Sequence, residues 1–491
     1  MFFVIKTSKI KLGHSAAMLL EEFKMPNAVE AKTRGELKRK GYKVVSVKQE
    51  IRRNLIEKMK KGEDIFPGIV GYEETVIPQI QNAILAGQDM ILLGERGQAK
   101  SRIIRALVNL LDEKIPIIAG CEINDNPYEP ICKACREKVE KLGDKVEIEW
   151  IGREVRYGEK LATPDITIAD LMGEVDPIKV AEGHYLSDEL TIHYGLVPRT
   201  NRGVFSINEL PDLAERIQVG LFNLMEERDV QIKGYRIRLP IDVYLVASAN
   251  PEDYTNRGRI ITPLKDRYGA QIRTHYPKTQ ELEIQIMDHE RARFDDDEIK
   301  TIVPKYMKEV IAEITALARR SPDVNQRSGV SVRVSIDNYE TMVSNAMRRA
   351  VLLGEDQAVP RISDLPSLTT STMGKLEMES IEDGREGKVL EEITKKAVVN
   401  VFGRHFSVHD FDDLVKKFEE GTTAEVSDMM HAKDYTKKLK EFGGASEALK
   451  KLGADDSPAG VASGIEFILE GLHLNRRLNR DKIEGKTRYR G

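Results

Sequence analysis

One stretch constrains this chain more than any other. Asp89-Met90-Ile91-Leu92-Leu93 is a short apolar run of strand type, and Ser101 to Leu111 carries helical apolar spacing. Between them stands Gly94-Glu95-Arg96-Gly97-Gln98-Ala99-Lys100-Ser101. Strand, glycine-containing loop and helix in this order form the first half of a βαβ unit, and they point to an α/β fold. The loop follows the phosphate-binding pattern GxxxxGK[ST], in which backbone N–H groups and the helix N-terminus cradle phosphate oxygens. In that reading Lys100 neutralises the β/γ charge of ATP and the Ser101 hydroxyl binds Mg²⁺. Ala99 stands where the pattern has its last glycine. If that position needs a positive φ, alanine costs roughly 1 kcal/mol or more. A helical φ would cost little.

The alternation of strands and helices resumes further on. Gly203 to Ile207 reads as a strand, Leu213 to Glu227 as a helix and Val243 to Ala247 as a strand, and Asp229 to Pro240 alternates about Gly234 as a β-hairpin would. Val204-Phe205-Ser206-Ile207-Asn208-Glu209 has the form of a Walker B strand, an apolar run ending in two polar residues. The usual pair is Asp-Glu. Here Asn208 replaces the acid that holds the Mg²⁺ water shell, while Glu209 keeps the position that polarises the attacking water. An amide brings no negative charge, so metal affinity is expected to be weaker. Val246-Ala247-Ser248-Ala249-Asn250-Pro251 ends in the polar residue of a sensor 1 strand, with Asn250 orienting the water. Thr262-Pro263-Leu264-Lys265-Asp266-Arg267-Tyr268 resembles a segment that carries an arginine finger into a neighbouring subunit's site; Arg257 and Arg259 are alternatives to Arg267. Gly329-Val330-Ser331-Val332-Arg333 opens a helix in the manner of a sensor 2 arginine that contacts phosphates, with Arg327 as its alternative.

Phe66-Pro67-Gly68-Ile69-Val70-Gly71, the phosphate loop, Asn201-Arg202-Gly203-Val204 leading into Walker B, Ala249-Asn250-Pro251, Asp266-Arg267-Tyr268 and Gly329 to Arg333 occur in that order. This set resembles the AAA+ ATPases of the magnesium-chelatase I-subunit and MoxR group, over residues 60 to 345. Thr191 to Asn201 looks like the helix-2 insert of that clade and the hairpin about Gly234 like its pre-sensor-1 insert. The resemblance implies a P-loop αβα core with inserts, followed by a helical lid and a helical C-terminal domain. The expected layout is an N-terminal helical leader (1–60), the ATPase core (61–280) with a Cys-containing insertion at 119–165, the lid (281–375) and a C-terminal domain with a basic tail (376–491). Ile69, Val70 and Gly71 are expected to hold ATP together with the loop. A homo-oligomeric ring, a hexamer, is implied, with ATP between subunits and a protein client to remodel, often one with a von Willebrand A domain. Two other readings stay open: the chelatase motor that drives Mg²⁺ into a porphyrin, and a nucleotide-gated scaffold with little hydrolysis, which Ala99 and Asn208 suggest.

All three cysteines lie between residues 121 and 135, which is not the distribution of a secreted disulfide framework. Cys132 and Cys135 with Cys121 have thiolate spacing suited to a structural metal, with zinc as the candidate. The fourth ligand would come from Glu122, Asp125, Glu129, His184 or His193. An iron–sulfur cluster and three reduced thiols are the alternatives. The net charge of −4 gives no reason to expect nucleic-acid binding, and neither a GAFTGA-like loop nor a helix-turn-helix is evident. No apolar stretch approaches the roughly 20 residues that cross a bilayer, so the cytoplasm is the expected compartment and no membrane contact is expected. Asn475 to Gly491 holds seven Lys or Arg against Asp481 and Glu484. It reads as a solvated, mobile tail, or else as a dock for an acidic partner.

Overall fold

The computed structural model describes residues 31–182, 188–231, 238–250, 258–292, 299–325, 329–379, 385–439, 445–483 and 486–491. Its main sheet grows from strands that the chain can only bury. β1 (Met90–Leu93), β5 (Gly203–Asn208) and β6 (Val243–Ala249) are buried at every position. Continuous burial is what a parallel strand covered on both faces requires. Together with β4 (Tyr157–Leu161) and β7 (Ala270–Arg273) they form a five-stranded parallel sheet in the order β7-β1-β6-β5-β4.

Alternate side chains of each strand enter opposite layers. Met90, Leu92, Val204, Tyr244 and Val246 join one hydrophobic cluster with α1 (Val47–Lys61), α2 (Val76–Leu85) and α3 (Lys100–Ala106). Ile91, Leu93, Phe205, Ile207, Leu245 and Ala247 join another with α5 (Glu215–Glu226). The result is the αβα sandwich expected from the sequence.

Two features of the core were not visible in the expected layout. The interval 119–165 is not wholly set apart from the sheet, because β4 lies within it and is the edge strand beside β5. The rest of it holds α4 (Lys133–Leu142) and β3 (Ile148–Gly152), which pairs antiparallel with β2 (Lys114–Ile118). The second feature is α1, which starts inside the segment read as a leader and packs on the core. Its Ser46–Gln49 capping box and left-handed Gly62 fix its ends, and Val47, Ile51 and Leu55 form its buried stripe. From the same helix Glu50 meets Arg156 in a two-pronged ion pair of 2.8 and 2.6 Å, and Arg156 also donates to the Arg202 carbonyl. Both side chains are buried, so each depends on the other.

Residues beyond Thr279 are mostly helical. α7 (Gln280–Glu290), α8 (Lys305–Ala318), α9 (Val332–Leu353), α10 (Arg385–His405) and α11 (Pro458–Leu474) share one hydrophobic cluster running from Met287 to Tyr489. α11 is buried around almost its whole circumference, as a helix apolar on all sides must be. Gly471 lets it approach closely, since a Cβ there would lie 2.1 Å from the Phe402 ring.

The reading of Asn475 to Gly491 as a solvated, mobile tail is corrected here. β9 (Asn479–Ile483) and β10 (Lys486–Arg490) form an antiparallel sheet with β8 (Ala424–Val426). The physical reason is α11's buried Glu470. It takes an ion pair from Arg480 at 2.6 Å and a hydrogen bond from the buried Tyr489 hydroxyl at 2.6 Å. The basic residues of this segment are thus partly spent on acids of the fold, Arg488 on Glu425 among them. The hairpin read about Gly234 is present as Asp229–Gln231 paired with Arg238–Pro240; Gly234 lies outside the described residues. Among the described residues no helix is long and apolar enough to cross a membrane.

Candidate functional site

The loop from Gly94 to Ser101 leaves the carboxyl end of β1, where open α/β sheets place their ligand sites. Its conformation is held from several sides. The Gly94 N–H donates to the Ala249 carbonyl at 3.1 Å, which ties the loop to the strand that precedes Asn250. Only glycine fits at 94, because a Cβ would stand 1.8 Å from Thr274 Oγ1. The Thr274 hydroxyl donates to Gln98 Oε1 at 2.6 Å, and Gln98 Oε1 accepts the Glu95 N–H at 3.1 Å. The Tyr72 hydroxyl donates to the Gln98 carbonyl and that of Tyr276 to the Arg96 carbonyl. Lys100 Nζ bonds the carbonyls of Gly94 at 2.5 Å and Glu95 at 2.8 Å.

Ala99 has φ 55° and ψ 16°, so the alanine does occupy the left-handed region for which the pattern keeps a glycine. Glu209, directly after β5, is also left-handed at φ 54°. Strained non-glycine residues of this kind gather at functional sites.

A cleft of about 550 Å³ opens over the loop, within the range of small-ligand sites. It brings together Ile69, Val70, Arg96, Gly97, Gln98, Ala99, Lys100, Ser101, Glu209 and Arg333. Gly94 and Glu95 form the loop's entry, and Gly71 (φ 85°) follows Val70 against Leu282. The loop also touches the helical region, as a Cβ on Gly97 would meet the Ser331 hydroxyl that caps α9. Asn250 is buried at the end of β6, between β1 and β5. Arg267, at the end of α6 (Thr262–Arg267), is not part of this cleft. It pairs with Glu226 and lies over the Phe222 ring. Arg259 is exposed and pairs with Glu215. Arg257 and Arg327 lie outside the described residues.

Asn208 has a neighbour that the sequence did not reveal. Its Nδ2 donates to Glu159 Oε1 at 2.5 Å, and its Oδ1 accepts from the Ser248 hydroxyl at 3.2 Å. Glu159 stands on β4, whose Leu161 is in register with Asn208. Arg105 of α3 grips Glu159 with two bonds of 2.8 and 2.9 Å and holds its carboxyl below the usual carboxylate range. A carboxylate therefore sits one side chain away from where the usual acid would be. Hydroxyl and carboxylate oxygens are the hard donors that suit Mg²⁺; Ser101 and Glu209 line the cleft, whereas Asn208 and Glu159 are not among its lining residues. Only the absence of an acid at 208 hinted in the sequence that another residue would bring the charge.

The three cysteines do come together, and none lines the cleft. Asp125 completes the group. Hydrogen bonds from Cys132 and then Cys135 draw the Cys121 thiol well below its ordinary range, while burial and the nearby Cys121 push Asp125 up to about 6. Of the other candidate partners, Glu122 and Glu129 are exposed, His193 is exposed beside Arg199, and His184 lies outside the described residues.

No protein-family model matches the chain. Its sequence is 26% identical over 370 residues to magnesium-chelatase subunit ChlI of Nostoc sp., covering 71% of this chain and 91% of that protein. It is also 26% identical to chloroplastic magnesium-chelatase subunit ChlI-2 of Arabidopsis thaliana, with 70% and 84% covered. Superposition on solved structures is weak. A model of the BchI–BchD complex of magnesium chelatase gives a TM-score of 0.34 at 19% identity, over 66% of this chain and 98% of that one. NtrX from Brucella abortus with ATP gives 0.35 at 12%, over 87% and 73%. The phosphate loop, the parallel sheet and these relatives agree: the chain is similar in sequence to the magnesium-chelatase I subunits and has the P-loop αβα core expected of an AAA+ ATPase.

Proposed function

We propose that the chain binds ATP in the cleft over residues 94–101 and uses its hydrolysis to remodel or activate a partner protein, as one subunit of a homo-oligomeric ring, a hexamer. The observation that carries this reading is the cleft itself. Lys100 and Ser101 from the core, Glu209 from the end of β5 and Arg333 from α9 all face one space. A ligand that touches the core and α9 together can move one against the other, and that is how differential contacts become a conformational change.

In this reading Lys100 leaves its loop carbonyls for the β- and γ-phosphates, and Arg333 meets the same charge from the helical side. Glu209 takes the proton of the attacking water, which Asn250 orients. Ser101 and the Asn208–Glu159 pair would hold Mg²⁺, which when bound neutralises phosphate charge. Arg267 completes a neighbouring subunit's site, and to reach it must leave Glu226. A client with a von Willebrand A domain is the partner type we favour, on the resemblance alone. Asn208 and Ala99 support a second form of the same reading, in which hydrolysis is slow and bound nucleotide gates a scaffold.

Lys100→Ala should abolish nucleotide binding by titration calorimetry. Glu209→Gln should keep ATP bound and enrich a client in a pulldown from native lysate. Arg267→Ala mixed with Glu209→Gln subunits should regain some turnover at mixed interfaces. If mixed rings form and stay inactive, the role of Arg267 across the interface is wrong.

A further inference from the structure

We infer that Cys121, Asp125, Cys132 and Cys135 form a closed, four-ligand zinc site that clamps the segment between β2 and β3 into one rigid loop, itself hydrogen-bonded to the residues that lead into β5, the strand ending at Asn208. One ligand atom from each residue lies within 4.8 Å of all the others. A tetrahedron with zinc–sulfur bonds of 2.3 Å places its sulfurs about 3.8 Å apart, so the four atoms can close on one ion with small side-chain movements. Ordinary core cysteines pack as small apolar side chains, which gives no reason to bring a carboxylate to three thiols. Here four groups that each carry negative charge when deprotonated share one buried spot, and a divalent cation is the simplest counter-charge. A multi-iron cluster would hold its cysteine sulfurs farther apart than this group does.

The backbone is arranged around the four groups as it is around a metal. The Asp125 N–H donates to Cys121 Sγ and the Cys135 N–H to Cys132 Sγ, both at 3.4 Å. Cys132 caps the N-terminus of the ten-residue α4, where the helix favours a thiolate. Asp125 accepts the N–H groups of Ile131 at 3.2 Å and Cys132 at 3.1 Å, which closes the loop between the first cysteine and the pair. Each carboxylate oxygen keeps a second lone pair for a ligand bond. Hydrogen bonds to ligands from a second layer of groups are what fix ligand orientation at metal centres.

The clamp role follows from what the loop is fastened to. Asn124, left-handed at φ 53°, donates its amide to the Arg199 carbonyl at 2.9 Å, and Asn201 donates to the Ile123 carbonyl at 3.0 Å. Asn201 Oδ1 also accepts the Asp242 N–H at 2.9 Å. The cysteine loop is therefore tied to the residues that lead into β5 and β6. Binding would release the thiol protons to solvent as the sulfurs become thiolates.

The test uses the full chain, purified without chelator in medium supplied with zinc. Elemental analysis is expected to find about one zinc per chain. After removal under reducing conditions, Co²⁺ is expected to bind one-to-one with the sulfur-to-metal charge-transfer and intense visible bands of a tetrahedral thiolate site. Asp125→Asn should keep the sulfur bands and weaken cobalt affinity at least tenfold. Cys132→Ser with Cys135→Ser should lose both metal and bands. Should that double variant fail to fold, thiol counting on the wild type decides: three thiols protected until chelator is added is the expected result. Metal well below one equivalent together with no cobalt bands, a Cys–Cys disulfide in the fresh protein, or metal retained by the double variant would each overturn the inference.

Discussion

Asn208 and Glu159 offer the sharpest test of how the metal charge is supplied. In the wild type the Asn208 amide donates to Glu159 at 2.5 Å. Asn208→Asp replaces that donor with a second carboxylate. Losing a hydrogen bond to a charged acceptor costs about 1.5–3 kcal/mol. Two unit charges about 4 Å apart repel by about 4 kcal/mol at an effective dielectric of 20. Arg105 and the 21% exposure of the Glu159 side chain reduce this, and uptake of one proton by the pair caps it. A net loss of about 2–4 kcal/mol is expected in EDTA. Mg²⁺ with nucleotide should recover most of it, because the cation then faces two carboxylates.

The assay is urea unfolding in EDTA and in Mg·ADP, with ATPase rate against Mg²⁺ concentration alongside. Asn208→Asp should be less stable in EDTA, need less Mg²⁺ and turn over faster. Glu159→Gln should need several-fold more Mg²⁺. The double variant should return toward wild type on both measures. If Glu159→Gln leaves the Mg²⁺ requirement unchanged, Glu159 only positions Asn208 and Arg105 and the charge argument fails.

Three further outcomes are expected. Ala99→Gly relieves a left-handed alanine and should stabilise the fold by about 1 kcal/mol in urea; a loss of stability would mean that the strain is not real. Glu50→Ala leaves Arg156 buried without its acid and should cost about 3–5 kcal/mol, whereas a change near zero would show that α1 is not part of the core. Truncation after Leu478 removes both partners of Glu470 and should expose the helical region to limited proteolysis, with an unchanged digest refuting the structural role given to the tail.

Much of the site was legible because buried parallel strands announce themselves. Met90 to Leu93 and Val243 to Ala247 are near-continuous apolar runs, and the phosphate loop must follow the first of them. β4 was hidden for the converse reason. Tyr157-Gly158-Glu159-Lys160-Leu161 is a half-exposed edge strand with no apolar run, so Glu159 could not be placed beside Asn208. The tail misled because Glu425 is remote in sequence from Arg488, and nothing in the local pattern shows that Glu470, though near Arg480 in the chain, is buried on α11. The cysteines were legible as a group, but choosing Asp125 over Glu122 or Glu129 depended on which carboxylate turns inward. The loop pattern left Ala99 open to a left-handed or a helical φ and the structure takes the left-handed one, while the left-handed φ at Glu209 had no counterpart in the sequence.

The central claim is that Glu209 activates water in a cleft that binds ATP through Lys100. It is tested most directly by measuring steady-state ATP hydrolysis and ATP affinity side by side for wild type and Glu209→Gln. The account predicts hydrolysis by the wild type, slow and steeply dependent on Mg²⁺, and none by Glu209→Gln, with ATP affinity within a few-fold of wild type. Equal turnover by the two proteins, or loss of ATP binding in Glu209→Gln, would contradict it.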